Sequence, residues 1–253
     1  MTSAQAQETG SERTGIFPIE VAGVEVLCDW RGAAYVPNHR LLTISDLHFE
    51  KGSSFARRGS FVPPYDTHET LGRVARIVED YDPAVVVCLG DSFHDDNGHD
   101  RIPDEIFKDI VRLEDGRDWC WISGNHDPSA PSKLPGFSAD ELAIGGLVFR
   151  HEPHADSAAG EISGHLHPAA RIFRRGRTVR RTCFACDRNR LIMPAFGAFT
   201  GSLNVLAPAY ESLFDWPRMQ ALLLGDRRIY PIPATHLVPD RSCVIKEKSR
   251  HRA

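Results

Sequence analysis

The chain has 253 residues, of which 42% are hydrophobic, 25% charged and 9% aromatic. This composition is that of a globular domain with ample length for a buried core, and it excludes collagen-like, coiled-coil and wholly disordered classes. A net charge of -4 also excludes a globally basic nucleic-acid binder.

The charge is uneven. Residues 91–118 carry ten acids against four bases, whereas residues 171–181 carry six arginines and no acid. Residues 1–15 are polar, lack the apolar core of a secretory signal, and are expected to be a disordered tail. No apolar run approaches the ~20 residues of a membrane-spanning helix. A single domain is expected over residues 16–240, followed by a basic, mobile tail over 241–253.

In chain order, a strand is predicted over Ile19 to Cys28, then a short one over Leu41 to Ile44. Leu71, Val74, Ala75 and Val78 recur at helical spacing, which predicts a helix over Asp66 to Asp80. The uninterrupted apolar run Ala84 to Leu89 suits a strand buried on both faces. Residues 103–113 read as a helix and Trp119 to Ile122 as a strand. This strand–helix alternation favours a parallel sheet with helices on its faces. Beyond it, Leu142 to Arg150, Glu161 to Ser163, Ala170 to Phe173, Val179 to Ala185 and Leu191 to Pro194 read as short strands. Arg175-Gly176-Arg177 reads as a hairpin tip. Two packed sheets with outer helices are expected.

Of the six cysteines, Cys28, Cys88 and Cys120 fall in apolar strand-like runs. Buried thiols and a reducing cytoplasm are expected. The C-x-x-C of Cys183 and Cys186 lacks a second ligand pair at zinc-site spacing, so both read as strand cysteines.

Three predicted strands end in ligand-type residues: Asp46, Asp91 and Asn125. The ends of parallel strands are where such sheets build their sites. Asp46 and His48, two apart on an extended segment, would point the same way and chelate one cation, as would His165 and His167. Glycines at 90, 124 and 164 permit sharp turns and close approach. Asp91 can bridge two metals, and Asn125 offers an amide oxygen. With His151, the set is two carboxylates, one amide and four histidines without thiolate, which suits Mn, Fe or Zn. Two such ions ~3.5–4 Å apart form a site for in-line phosphoryl displacement.

The succession Asp46-Leu47-His48, Gly90-Asp91, Gly124-Asn125-His126-Asp127, His151 and Gly164-His165-Leu166-His167 resembles the calcineurin-like metallophosphoesterase superfamily. The resemblance implies an α/β fold, a four-layer αββα sandwich. It implies one metal held by Asp46, His48, Asp91 and His167, and a second held by Asp91, Asn125, His151 and His165. His126 would contact the phosphate and assist the leaving oxygen, Asp127 would orient His126, and a hydroxide bridging the metals would be the nucleophile. The strings SDLHFEKGSSFARRG, LGDSFHD, GEISGHLHPAARI and MPAFGAFTGSLNV further resemble the bacterial ligase-associated DNA damage response endonucleases. That narrower resemblance implies Mn-dependent cleavage of nucleic-acid phosphodiesters in DNA repair, alongside a DNA ligase and a helicase.

Arg174, Arg175 and Arg177, with Arg171, Arg180 and Arg181, follow the last histidine motif and are candidates for holding a nucleic-acid backbone beside the metals. The alternative is a solvated hairpin answering the acidic segment. Lys51, Arg57 and Arg58 are candidates for the same surface. For His94 and Asp95 a solvated loop is expected, with a metal or substrate role as the alternative, and Phe196 and Phe199 read as core residues rather than base-stacking ones. No P-loop, H-E-x-x-H or G-x-S-x-G string occurs. Other functions compatible with the same core are a phosphatase or cyclic-nucleotide phosphodiesterase on small substrates, and a protein-binding scaffold without catalysis.

Overall fold

The computed structural model describes residues 15–52, 54, 66–96, 98–128, 133–198 and 200–240. Both expected tails apart from Gly15, and Arg57, Arg58 and Phe199, lie outside the described residues.

The first half forms a seven-stranded sheet in sequence order. Its strands are β1 (Ile16–Val21), β2 (Val24–Asp29), β3 (Ala34–Val36), β4 (Leu41–Ile44), β5 (Val85–Leu89), β6 (Asp118–Ile122) and β7 (Phe137–Ala139). β1 to β4 pair antiparallel, and β4 to β7 pair parallel. Helices α1 (Asp66–Tyr81) and α2 (Asp104–Glu114) make the crossovers. The second half forms a nine-stranded sheet from β8 (Glu141–Ile144), β9 (Leu147–Arg150), β10 (Glu161–Ser163), β11 (Pro168–Arg174), β12 (Arg177–Cys186), β13 (Arg190–Ile192), β14 (Leu203–Asn204), β15 (Gln220–Leu224) and β16 (Ile229–Pro233).

The apolar runs of the parallel strands are explained by two cores. Val87 and Leu89 of β5 point into the layer between the sheets, with Leu147, Phe149, Ile162 and Phe184 opposite. Val86 and Cys88 point the other way, onto Leu71, Val74, Ile77, Ile106 and Ile110 of the two helices. β6 divides likewise, Cys120 and Ile122 inward, Trp119 and Trp121 toward the helices. A strand covered on both sides has no reason to alternate apolar with polar.

The outer face of the second sheet is covered differently. Tyr210, Leu213, Phe214 and Met219 pack on Ala170, Cys183, Ala185 and Leu223. Their segment has only a short 3-10 turn at Pro208–Tyr210. Pro208 and Pro217 fragment it, which removes the backbone donors an α-helix needs. Four layers are therefore present, and among the described residues α-helix covers only the first sheet.

The predicted strands Ile19 to Cys28 and Leu142 to Arg150 each prove to be two strands. Ala22-Gly23 and Gly145-Gly146 close two-residue hairpins, with φ of 49° and 82° in the first and 60° and 84° in the second. Positive φ at both central residues gives the turn whose twist matches paired strands. The expected tip at Arg175-Gly176 is built the same way, with φ of 50° and 77°. Cys28, Cys88, Cys120, Cys183 and Cys186 are buried free thiols. Among the described residues no helix is long and apolar enough to cross a membrane.

Candidate metal centre

The carboxyl ends of β4, β5 and β6 lie side by side, because those strands pair in parallel register. Asp46, Asp91 and Asn125 follow these ends directly. The register continues past the strands: the His48 amide donates to the Asp91 carbonyl at 2.8 Å, and that of Phe49 to Ser92 at 2.8 Å. The second sheet supplies His151 after β9, and His165 and His167 from the turn between β10 and β11.

These residues converge. His167 Nε2 lies 3.1 Å from Asp46 Oδ1 and 3.4 Å from His48 Nε2. His151 Nε2 lies 3.4 Å from Asp91 Oδ1, 2.9 Å from Asn125 Oδ1 and 3.2 Å from His165 Nδ1. Asn125 Oδ1 also lies 2.9 Å from His165 Nδ1. Two sets of ligand atoms, each within 4.8 Å, stand out: Asp46, His48 and His167, and Asp46, Asp91 and His151. Asp46 is common to both. Asp91 reaches toward the first set as well, its Oδ2 being 3.9 Å from His48 Nε2.

The convergence is not achieved on extended backbone. Asp46, His48, Asp91, His165 and His167 have φ of 53°, 47°, 46°, 65° and 45°. Left-handed conformations in non-glycine residues cost of order 1 kcal/mol or more each and cluster at functional sites. The side chains share a direction through these strained turns, not through two-residue strand periodicity. Close approach completes the seam. A Cβ at Gly164 would overlap the Ser45 hydroxyl, and one at Gly90 would stand 2.5 Å from the His151 ring.

Burial sets the protonation of the site. Asp46 is fully buried, which alone would raise its pKa. The close approach and charge of His167, aided by His151 and Ser45, reverse this and hold its carboxyl below the usual range. Desolvation pulls His48 down to about 3. Desolvation and neighbouring His151 also lower His165. For His167 desolvation is outweighed by Asp46, and the imidazole is raised.

Three histidines are aimed by main-chain carbonyls. His151 Nδ1 donates to Leu89 O at 2.8 Å, His167 Nδ1 to Gly201 O at 3.1 Å, and His126 Nδ1 to His94 O at 3.1 Å. Each bond assigns the proton to Nδ1 and leaves Nε2 facing the carboxylates, as metal-binding imidazoles require. A cation is what the remaining valences fit. Asp46 Oδ1 is buried without a hydrogen bond among the described residues, and the facing atoms are oxygen and imidazole nitrogen.

His126 differs from these. Its side chain is 43% exposed, its Nε2 is 4.0 Å from Asp91 Oδ2, and its backbone amide donates to Asp91 Oδ1 at 2.9 Å. Asp127 does not orient it, contrary to expectation. Asp127 turns inward and accepts the Phe93 amide at 3.0 Å, bracing the loop after Asp91, and burial pushes its carboxyl up to about 8. The orienting group is the His94 carbonyl. The His94 ring also stacks on His126, centroids 5.4 Å apart, and meets His48 edge-on at 5.8 Å. His94 thus belongs to the site rather than to a solvated loop, and its position three residues after Asp91 is the signal in the sequence.

The arginines divide between root and tip of the β11–β12 hairpin. Arg180 at the root donates to Ser202 Oγ and O at 2.7 and 2.9 Å and pairs with Asp240 at 3.4 Å. Arg174, Arg175 and Arg177 surround the exposed tip. Arg174 lies six residues beyond Pro168, about 20 Å along an extended strand. The root, not the tip, therefore adjoins the metal ligands. Phe196 is a core residue, as expected, with the Arg73 guanidinium 4.6 Å above its ring.

The sheet pair, the strand-end carboxylates and the histidine turns define a metal-dependent phosphoesterase. The calcineurin-like phosphoesterase family model matches residues 39–180, and the chain belongs to that family. Among solved structures the chain is similar to the Pseudomonas putida nuclease MPE, with 27% identity and a TM-score of 0.66, over 86% of this chain and 100% of that one. It also matches YfcE, a phosphoesterase from E. coli, at 12% identity and a TM-score of 0.39, over 77% of this chain and 98% of that one. No curated protein matches.

Proposed function

We propose that this protein is a phosphodiesterase that cuts nucleic acid internally, DNA foremost, with two divalent ions at the sheet seam. The carrying observation is the pair of ligand sets that share Asp46, beside the root of an arginine-rich hairpin. The family membership and the similarity to a nuclease support the same reading. Asp46, His48, Asp91 and His167 would hold one ion, and Asp91, Asn125, His151 and His165 the other, with Asp46 in reach of both. Manganese is proposed on the oxygen–imidazole donor set, with iron and zinc as the other metals to assay. Such ions supply Lewis-acid stabilisation of phosphoryl oxygens and a water acidic enough to attack at neutral pH.

The chain's own residues do the rest. Asp46 and Asp91 concentrate negative charge in a buried seam, so that cations and not water fill it. The His94 carbonyl fixes His126 with Nδ1 protonated, on a partly exposed side chain whose Nε2 stands 4.0 Å from Asp91 Oδ2. From there protonated His126 contacts the phosphate and gives its Nε2 proton to the departing oxygen. Asp127 keeps the Asp91 loop in place while this happens. Arg174, Arg175 and Arg177 hold the backbone of a longer substrate. The setting proposed is DNA repair in the cytoplasm, with a DNA ligase and a helicase as the partners to test.

The test is incubation of manganese-loaded protein with single-stranded DNA, duplex DNA and p-nitrophenyl phosphate. Internal cleavage of DNA at rates above monoester hydrolysis is expected. Monoester turnover with intact DNA would replace this reading by a phosphatase of small substrates.

A further inference from the structure

The arginine hairpin carries one aromatic side chain turned to water. Phe173 is 64% exposed, more than any other large apolar residue among those described. Its cross-strand partner Thr178 is itself exposed and does not cover it. Strand alternation and pairing place Phe173 on one face with Arg171 and Arg180, and Arg174, Arg177 and Arg181 on the other. Among the described residues Arg174, Arg175, Arg177 and Arg181 have no acidic partner. The acidic segment 91–118 therefore does not neutralise the tip. An uncovered phenyl ring next to a hairpin tip whose guanidinium groups lack acidic partners among the described residues offers the two elements a nucleic-acid strand needs, a surface for a planar apolar base and cations for its phosphates. Strand-binding surfaces combine these elements: arginines track the backbone and an aromatic ring accepts a base.

We propose that Phe173 is a base-stacking residue in a strand-binding exosite on the β11–β12 hairpin, apart from the metal ligands. This rests on the nucleic-acid reading above. Phe173 is five residues beyond Pro168, about 17 Å along an extended strand. At a rise of ~3.4 Å per stacked nucleotide that distance is about five nucleotides. Only a strand longer than this spans from His167 to the ring, so the exosite adds affinity to long strands and none to short ones.

The test measures binding of fluorescent oligodeoxyadenylates of four and sixteen nucleotides to the full-length protein, by anisotropy without added metal. Kinetics with manganese follow. Phe173→Ala is expected to weaken the sixteen-mer about tenfold, to leave the four-mer unchanged, and to act on KM rather than kcat. Phe173→Trp retains affinity within threefold. Tyr230→Ala, which removes another exposed aromatic outside the hairpin, leaves both unchanged. Hydrolysis of bis-p-nitrophenyl phosphate stays at the wild-type rate in all three. Three results overturn the exosite: wild-type affinity of Phe173→Ala for the sixteen-mer, equal weakening on both lengths, or binding to phosphatidylglycerol vesicles and to neither oligonucleotide. Length-dependent binding through Phe173 without cleavage overturns the nuclease reading and leaves the exosite standing.

Discussion

The two sheets reach the metal centre by different routes. The first sheet presents Asp46, Asp91 and Asn125 at the ends of three adjacent parallel strands, in a register that fixes their spacing. The second sheet presents His151, His165 and His167 from turns, each ring aimed separately by a carbonyl or a neighbouring side chain. Oxygen donors thus come mainly from one half of the chain and imidazoles mainly from the other. Neither half alone assembles a complete ligand set, so the docking of the sheets and the assembly of the site are one event.

That comparison has ordered consequences. The largest effect is expected from Asp91→Asn, which removes a charge that the second half cannot replace. The loss is several kcal/mol of transition-state stabilisation, about 10³-fold in kcat/KM on bis-p-nitrophenyl phosphate. His126→Ala should lower kcat by roughly 10²-fold while metal content is unchanged, since His126 belongs to neither ligand set. Metal loss in that variant would move His126 into the cradle. Neutralising Arg174, Arg175 and Arg177 together should act only on polyanions. It raises KM for DNA and flattens the log–log salt dependence by about two units, with small diesters unaffected.

The smallest effect lies outside the site, on the helix side of the first sheet. Glu114 at the end of α2 is buried and its carboxylate oxygens have no hydrogen-bond partner among the described residues. Burial raises its carboxyl from 4.5 to about 8. Between those values the folded state binds more protons than the unfolded state, so stability falls as pH rises through that window. Glu114→Gln should therefore raise the melting temperature by about 2–4 °C at pH 8, a gain of about 1 kcal/mol, and by nothing near pH 4.5. Thermal melts at the two pH values check the difference.

The contrast between the halves also governs what was legible in the sequence. Strands β4, β5 and β6 and both helices stood out because they are buried on defined faces and end in polar punctuation. The ligand residues were legible as residue types, and their meeting followed from the parallel order. The hairpins at Ala22-Gly23 and Gly145-Gly146 were hidden because one glycine or two inside an apolar run does not break its hydrophobicity. β15 and β16 were not anticipated, and Pro231 and Pro233 in β16 are poor strand formers by composition. The backbone route at the site was misjudged for a deeper reason. Left-handed turns at Asp46, His48, Asp91, His165 and His167 are imposed by tertiary packing and have no local signature. His94 joined the site, and Asp127 left it, for the same reason: which group faces His126 depends on how the Asp91 and Asn125 loops nest.

The central claim is that residues of both sheets together hold two divalent ions, and metal stoichiometry tests it most directly. Manganese-loaded wild-type protein, His167→Ala and His151→Ala would be freed of excess metal and assayed by plasma mass spectrometry, with folding checked by melting temperature. Two ions per wild-type chain are expected, and one in each folded variant, because His167 serves only the first set and His151 only the second. Wild-type stoichiometry in both variants, or fewer than one ion in the wild-type chain, would contradict the claim.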